Sequence, residues 1–155
     1  MVAVLQRVES ASVTIDGTVK GKCGHGLMIL LGVSGEDTES DAVVLAEKIS
    51  KLRIFSDENG KMNLSVTDVN GSALVISNFT LCADYRKGNR PDYFKAAAPD
   101  IADKLYEYFI ALLRERVKEV ESGEFGADMK ISLINDGPVT IVMDSKVLLN
   151  KQVTS

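Results

Sequence analysis

Three polar residues interrupt an apolar, strand-like stretch of the sequence, and they are the first candidates for chemistry. Ser77, Asn78 and Thr80 lie in SALVISNFTLCAD, with Phe79 between the last two. Because side chains alternate between the two faces of a strand, Asn78 and Thr80 are expected on one face, opposite Ser77 and Phe79, unless a bulge intervenes. Two hypotheses follow: solvent-facing positions at a sheet edge, or a polar-lined pocket with Phe79 in its wall.

Basic and aromatic side chains are interleaved in the segment YRKGNRPDYFK, residues 85–95. The basic residues are Arg86, Lys87, Arg90 and Lys95, and the aromatic residues are Tyr85, Tyr93 and Phe94. This combination suits a nucleic-acid backbone and an unstacked base, although a solvated loop is the simpler explanation. Arg7 is a further cation, isolated in an apolar strand, which needs a partner if it is buried and none if it lies at an edge.

A proline occupies an unusual place in NDGPVT, residues 135–140. Asp136-Gly137 lies between two apolar stretches, which is a strong signal for a turn that joins two strands in a hairpin. Pro138 then stands where the second strand begins, although proline cannot donate to a sheet ladder. A hairpin alone therefore leaves Pro138 unexplained.

Several reaction classes are excluded by residues that the sequence lacks. His25 is the only histidine, and Cys23 and Cys82 are isolated, so a zinc site cannot be assembled in the usual way. The sequence contains neither a GxSxG nucleophile elbow nor a phosphate-binding loop. If the protein is an enzyme, it is expected to work without a metal, a cofactor or a histidine base.

Length and composition predict a single cytoplasmic domain spanning residues 1–155. No apolar run approaches the ~18 residues of a membrane span. The first residues lack the pattern of a signal peptide, and two unpaired cysteines fit a reducing compartment. The net charge of −4 argues against general coating of nucleic acid. It leaves room for one local basic patch, for which the segment 85–95 is the candidate.

The elements that must position these residues are strands and two principal helices. Strands are predicted at 2–8, at a hairpin reversing at 16–17, at 27–33, in a short strand and turn at 52–63, and at 72–84. One helix is predicted to begin after Thr38, and a second to begin at Pro99 and continue through Val120 to a terminator at Gly123. The predicted fold is a single α/β domain with largely antiparallel or mixed, barrel-like β-sheets and two main helices packed on one side.

Three segments, taken together, resemble the marks of one protein family. They are SNFTL at residues 77–81, KGNRP at 87–91 and NDGPVT at 135–140. The sequence is similar to D-aminoacyl-tRNA deacylases over the whole chain, from VLQRV and ASV near its start to VTIVMDS near its end. One position departs from the family's usual pattern, because Asn78 stands where the family has glutamine. Asn78 keeps the amide group but is one methylene shorter.

The resemblance implies a homodimeric hydrolase that cleaves the ester between a D-amino acid and the terminal adenosine of tRNA, and so keeps D-residues out of translation. It implies active sites at the subunit interface, each formed by the SNFTL segment of one subunit and by Gly137 and Pro138 of the other. The two carbonyls of that pair would receive the substrate's α-amino group and exclude an L side chain. Glycine on a mischarged tRNA would pass the same filter.

The resemblance also implies roles for individual residues. Thr80 is expected nearest the scissile carbonyl, in a catalytic segment with Ser77, Asn78 and Phe79. It is either a hydrogen-bonding positioner or an attacking hydroxyl, and positioning is favoured because the sequence offers no base to activate it. Water is then the expected nucleophile. The expected contacts with the 3′ acceptor end of the tRNA are Arg86, Lys87, Arg90 and Lys95.

Two further expectations complete the interpretation. The resemblance implies that the peptide bond between Gly137 and Pro138 is cis, and the absence of a glycine Cβ that would clash there supplies the physical reason. The alternative function, from a different class, is a non-catalytic module that binds an RNA end or a small ligand.

Overall fold

The computed structural model describes the backbone of residues 1–152 and the side chains of residues 1–150. These residues form eight strands and three helices. The strands are β1 (Val2–Ile15), β2 (Thr18–Cys23), β3 (Gly26–Gly32), β4 (Phe55–Ser56), β5 (Met62–Leu64), β6 (Ser72–Ser77), β7 (Glu119–Ser122) and β8 (Lys130–Asp144). The helices are α1 (Glu39–Lys51), α2 (Pro99–Arg114) and α3 (Ser145–Gln152), and a 3₁₀ turn spans Phe79–Cys82.

Six of the eight strands form a mixed sheet that curls into a nearly closed barrel, and β4 and β5 pair separately as a two-stranded antiparallel sheet. The order of the larger sheet is β2-β1-β3-β6-β7, and β8 pairs with β1 outside this path. β3 with β6 and β6 with β7 are parallel, whereas β1 pairs antiparallel with all its partners. β2 returns to β7, where the backbone N–H of Lys22 donates to Glu121 Oε2 at 2.6 Å. The prediction of a barrel-like, mixed α/β fold is confirmed.

Two hydrophobic cores hold these elements together. One lies inside the barrel, and its buried residues include Val8, Val13, Met28, Leu74 and Ile76. The other lies between the sheet and the helices α1 and α2, and its buried residues include Leu45, Ile49, Phe109, Ile110 and Leu113. The helices therefore cover one face of the sheet. The other face encloses the first core over part of its area and is exposed elsewhere, as at Val142, which is 70% exposed.

Both predicted helix starts are confirmed. The backbone N–H of Thr38 donates to Asp41 Oδ2 at 2.8 Å, which closes the capping box of α1. α2 begins at Pro99, where a proline costs nothing because the first helical N–H has no partner within the helix.

α2 ends earlier than predicted, at Arg114. Val117 and Val120 do not extend its apolar stripe, because Val117 lies in the following turn and Val120 in β7. The helical spacing continues past the helix because these residues bury their side chains in the same core. Gly123 does not terminate a helix either. A Cβ at Gly123 would lie 2.5 Å from Met129 Sδ, so close packing accounts for the glycine.

A third helix, α3, lies beyond the two that the sequence predicts. Ser145 Oγ donates to Asp41 Oδ1 of α1 at 2.6 Å, and Leu148 packs against the core. Eight residues are too few for a periodic apolar pattern to stand out in the sequence. Within residues 1–152, no helix combines the length and the apolarity that a membrane span requires.

β8 replaces the hairpin that NDGPVT predicts. Four of its residues, 136–139, lie opposite Arg7 alone, and pairing with β1 resumes on both sides. The hairpin prediction is therefore wrong, and these four residues, here called the bulge, form a wide irregularity within one strand. The chain does not reverse because the two apolar stretches pair with the same long strand, β1.

Candidate active site

A cavity of about 730 Å³ opens where β6 ends and the 3₁₀ turn begins. Ser77, Asn78, Phe79 and Thr80 all line this cavity, so the structure brings together the four residues of the predicted catalytic segment. The rest of the wall is largely apolar and includes Leu30, Ile76, Phe125, Met129 and Ile131. An apolar cavity with a few polar groups at one side is typical of a small-ligand site.

The polar residues meet because the backbone changes conformation after Ser77. β6 stops there, and the 3₁₀ turn follows Asn78. The prediction that strand alternation separates Asn78 and Thr80 from Ser77 and Phe79 is therefore wrong, since the strand does not extend that far. Within the turn, Thr80 Oγ1 donates a hydrogen bond to Asn78 Oδ1 at 2.5 Å. The asparagine amide thus fixes the direction of the Thr80 hydroxyl proton.

Phe79 and Tyr93 form an aromatic rim at the cavity. Their rings meet edge to face with centroids 5.0 Å apart, and Phe79 is 56% exposed. Because Tyr93 belongs to the segment 85–95, this contact joins the basic segment to the catalytic one. An aromatic rim beside an apolar wall can pack against a planar base.

The bulge is held by two side chains. Arg7 is buried, and its Nε donates to the carbonyl oxygen of Asp136 at 3.1 Å and lies 3.1 Å from the Asp136 carboxylate. Asn135 Nδ2 donates to the carbonyl oxygens of Arg7 and Val139, at 2.9 and 3.0 Å. These bonds fix both ends of the bulge. The sequence leaves the burial of Arg7 open and gives no signal for Asn135 beyond its place in NDGPVT, so their positioning roles emerge only from the structure.

Gly137 and Pro138 form the middle of the bulge. The peptide bond between them is cis, as predicted, and Gly137 has a φ of +135°, which favours glycine. Neither residue lines the cavity of its own chain. Within one chain, the structure therefore does not bring the pair into the site that contains Thr80.

The four predicted tRNA-contact residues fall into two kinds. Arg86 Nε donates to Asp84 Oδ1 at 2.9 Å, and Lys95 Nζ lies 3.5 Å from Asp84 Oδ2. The hydrogen bonds from Arg86 hold the pKa of the Asp84 carboxyl well below its usual range. Lys87 and Arg90 are exposed and form no ion pair with any described residue. Their charge is therefore the part of this segment that is available to a polyanion.

No histidine or cysteine side chain is placed to act as a base in the cavity, among the residues that the structure describes. His25 packs edge to face against Phe55, with ring centroids 5.2 Å apart. Burial raises the pKa of the Cys82 thiol, which disfavours a thiolate. The carboxylate in the cavity wall, Asp128, is 87% exposed and lies 2.9 Å from Lys130 Nζ. In the described part of the chain, no three His, Cys, Asp or Glu side chains lie together as metal ligands would.

Comparison with known sequences identifies close relatives. A family model described as D-Tyr-tRNA(Tyr) deacylase matches residues 4–144. D-aminoacyl-tRNA deacylase of Thermosipho africanus (strain TCF52B) is 56% identical over 146 residues, which cover 94% of this chain and 98% of the relative. D-aminoacyl-tRNA deacylase of Bacillus cytotoxicus is 54% identical over 146 residues, which cover 94% of this chain and 100% of the relative.

Solved structures share the fold. A protein described as c-Myc DNA Unwinding Element Binding Protein superposes with a TM-score of 0.88 at 41% identity, covering 93% of this chain and 98% of the other. A probable eukaryotic D-amino acid tRNA deacylase superposes with a TM-score of 0.80, covering 92% and 98%. At 16% identity, this second likeness concerns the fold alone.

Proposed function

The chain belongs to the D-Tyr-tRNA(Tyr) deacylase family, and we propose that two copies of it together form each active site. The protein is a hydrolase that cleaves the ester bond of D-aminoacyl-tRNA, a proofreading step of translation. The proposed assembly is a homodimer, acting in the cytoplasm, where charged tRNA is used. Its substrate is the 3′ acceptor end of a tRNA that carries a D-amino acid.

The position of Gly137 and Pro138 is the observation that carries this proposal. Arg7 and Asn135 fix the bulge in place, yet neither of its middle residues lines the cavity with Thr80 in the same chain. A second copy of the chain can supply them. In a two-fold dimer, the same pair of surfaces would complete both sites at once.

An apolar sheet face beside the cavity supports the homodimer. Val4 of β1 pairs with Leu30 of β3 on one side and with Val142 of β8 on the other. These three residues alternate with neighbours that face the helices, so they lie on the face that α1 and α2 do not cover. Val142 is 70% exposed, and Leu30 also lines the cavity. Exposed apolar surface continuous with a cavity is typical of a protein–protein interface.

We place the terminal adenosine against the apolar wall of the cavity and the aminoacyl ester beside Thr80. Since the Thr80 hydroxyl directs its proton to Asn78, its oxygen can accept a hydrogen bond from the attacking water or from a ribose hydroxyl. Water adds to the ester carbonyl carbon, the bond from that carbon to the ribose oxygen breaks, and the ribose oxygen takes up a proton. Thr80 orients these groups and forms no bond to the substrate.

Chiral selection then follows from the backbone of the bulge. The carbonyl oxygens of Gly137 and Pro138 of the partner subunit accept hydrogen bonds from the α-ammonium group. With the ammonium group and the ester carbonyl both fixed, a D and an L substrate exchange the positions of the side chain and the hydrogen. An L side chain would meet the partner's backbone, whereas a hydrogen atom fits. Glycine has two hydrogens, so glycyl-tRNA is also a substrate.

A turnover assay distinguishes this enzyme from a non-catalytic RNA-end or small-ligand binding module. The protein, at one-hundredth of the concentration of D-Tyr-tRNA, is expected to release all of the tyrosine. A non-catalytic binding module would release no tyrosine and would leave the ester of D-Tyr-tRNA intact. Release that stops at one tyrosine per protein would contradict a catalytic role.

Thr80→Ala is expected to lower kcat by about tenfold, in the range that one net neutral hydrogen bond supplies, without abolishing the reaction. The hydroxyl positions a reacting group in this proposal, while water makes the attack. Thr80→Ser keeps the hydroxyl and is expected to retain most of the activity. Complete loss of activity in a folded, dimeric Thr80→Ala protein, or a trapped acyl ester on Thr80, would exclude the positioning role.

Replacing Lys87 and Arg90 together by alanine is expected to raise KM and to reduce the salt slope of tRNA binding by about 2, since each side chain is expected to neutralise one phosphate. Thermal stability should remain unchanged, because both side chains are exposed and form no ion pair with described residues. Lys20→Ala with Lys61→Ala removes the same charge from two other exposed positions. Equal salt slopes for the two double variants would show that the tRNA contacts another surface of the protein.

A further inference from the structure

The segment 85–95 presents two consecutive aromatic rings to two different cavities. Tyr93 lines the active-site cavity, whereas Phe94 and Lys95 line a second cavity of about 640 Å³. The backbone of these residues therefore separates the two cavities. A chain of nucleotides with one base in each cavity would have to cross this wall.

The 3₁₀ turn forms the second part of the same wall. Thr80 faces the active-site cavity, and the next residue, Leu81, faces the second cavity. Both cavities thus adjoin the position at which the ester is expected to lie.

Phe94 is 94% exposed, and it is the most exposed of the large hydrophobic side chains in the described part of the chain. A phenyl ring in water gains none of the stabilisation that burial provides, so its position favours contact with a ligand. Lys95, next to it, is 64% exposed and lies 3.5 Å from Asp84 Oδ2. An exposed ring beside a lysine is the arrangement with which proteins hold unpaired nucleotides.

The charges in the second cavity favour a base over a row of phosphates. Lys95 and Lys146 contribute two positive charges, and Glu36 and Asp144 contribute two negative charges. Met1 also lines the cavity, and its N-terminal ammonium group is paired with Asp37 Oδ1 at 2.6 Å. Lys146 also forms an ion pair with Glu36, so its charge is already compensated. A neutral planar group is compatible with this balance.

We propose that Phe94 is the stacking platform for the nucleotide that precedes the terminal adenosine in the single-stranded 3′ end of the tRNA. This proposal rests on the proposed function. The terminal adenosine occupies the active-site cavity, the strand crosses the wall at residues 93–95, and the preceding base lies on the Phe94 ring. Phe94 therefore contributes to binding of tRNA and not to the chemistry of the ester.

Two substrates of different length test the proposal. The first is D-Tyr-tRNA, and the second is the D-tyrosyl ester of adenosine, which lacks the preceding nucleotide. Phe94→Ala is expected to raise KM for D-Tyr-tRNA by about tenfold, the effect of removing one base–aromatic stack. KM for the adenosine ester and kcat for both substrates should remain unchanged. Phe94→Trp should restore the KM of the wild type.

Met62→Ala is the control, because Met62 is an apolar side chain that is 58% exposed, lies outside the segment 85–95 and lines neither cavity. It should leave both KM values unchanged. An unchanged KM for D-Tyr-tRNA in Phe94→Ala, or an equal rise for both substrates, would overturn the proposal. Dissociation of the dimer by Phe94→Ala, measured by sedimentation, would assign the ring to a subunit contact instead. If the wild type hydrolyses neither substrate, the proposed function itself fails.

Discussion

Gly137→Ala is expected to remove most of the deacylase activity from a protein that still folds. Gly137 has a φ of +135°, and a Cβ there would lie 2.7 Å from Val139 Cγ2 and 2.8 Å from the Val139 backbone nitrogen. The bulge must shift to relieve these contacts. A displacement of about 1 Å at a reacting centre can cost about 10²-fold in rate, so kcat/KM for D-Tyr-tRNA should fall by that factor.

Gly60→Ala is the matched control for this variant. Gly60 also has a positive φ, +74°, but nothing lies within 4 Å of the Cβ that the substitution adds. Each variant should lose about 1–3 kcal/mol of stability through backbone strain, and only Gly137→Ala should lose activity. A Gly137→Ala protein with the kcat/KM of the wild type would show that the bulge does not position the substrate.

Val142→Glu is expected to convert the dimer into inactive monomers. Val142 is 70% exposed on the apolar sheet face with Val4 and Leu30, which the second copy covers in the proposed homodimer. An unpaired carboxylate buried in that face has no compensating partner, so dimerisation becomes unfavourable. Separated subunits lack the partner's bulge at the cavity. Sedimentation equilibrium and kcat/KM, measured on the same sample, report the two losses together.

Val19→Glu is the control, because Val19 is 56% exposed on β2 and takes no part in that face. It should remain dimeric and active. A monomeric Val142→Glu protein with full activity would contradict an active site built from two chains. A dimeric and fully active one would place the interface on another surface.

Local patterns in the sequence predict much of the fold. The capping box at Thr38, the proline at the start of α2 and the hairpin at 16–17 all depend on neighbours within a few residues, and the structure contains all three. The four residues Ser77, Asn78, Phe79 and Thr80 also line one cavity, as the pocket hypothesis requires. Their arrangement differs from strand alternation because the strand ends at Ser77.

Long-range pairing explains what local patterns miss. Asp136-Gly137 would close a hairpin if the two flanking stretches paired with each other. Both instead pair with β1, whose 14 residues lie more than 100 positions away in the sequence. The same distance hides the role of Arg7, since its partner Asp136 becomes its neighbour only when β1 and β8 pair. Nothing in the sequence near Arg7 could therefore show that its side chain is buried with a partner and not exposed at a sheet edge.

The most direct test of chiral selection compares D-Tyr-tRNA, L-Tyr-tRNA and glycyl-tRNA as substrates of the wild-type protein under identical conditions. Chiral selection by the backbone of Gly137 and Pro138 predicts rapid release of D-tyrosine and of glycine. L-Tyr-tRNA should persist as long as it does in buffer without protein. Release of L-tyrosine at the rate of D-tyrosine would contradict this mechanism, because a site that admits both side-chain positions has no steric filter.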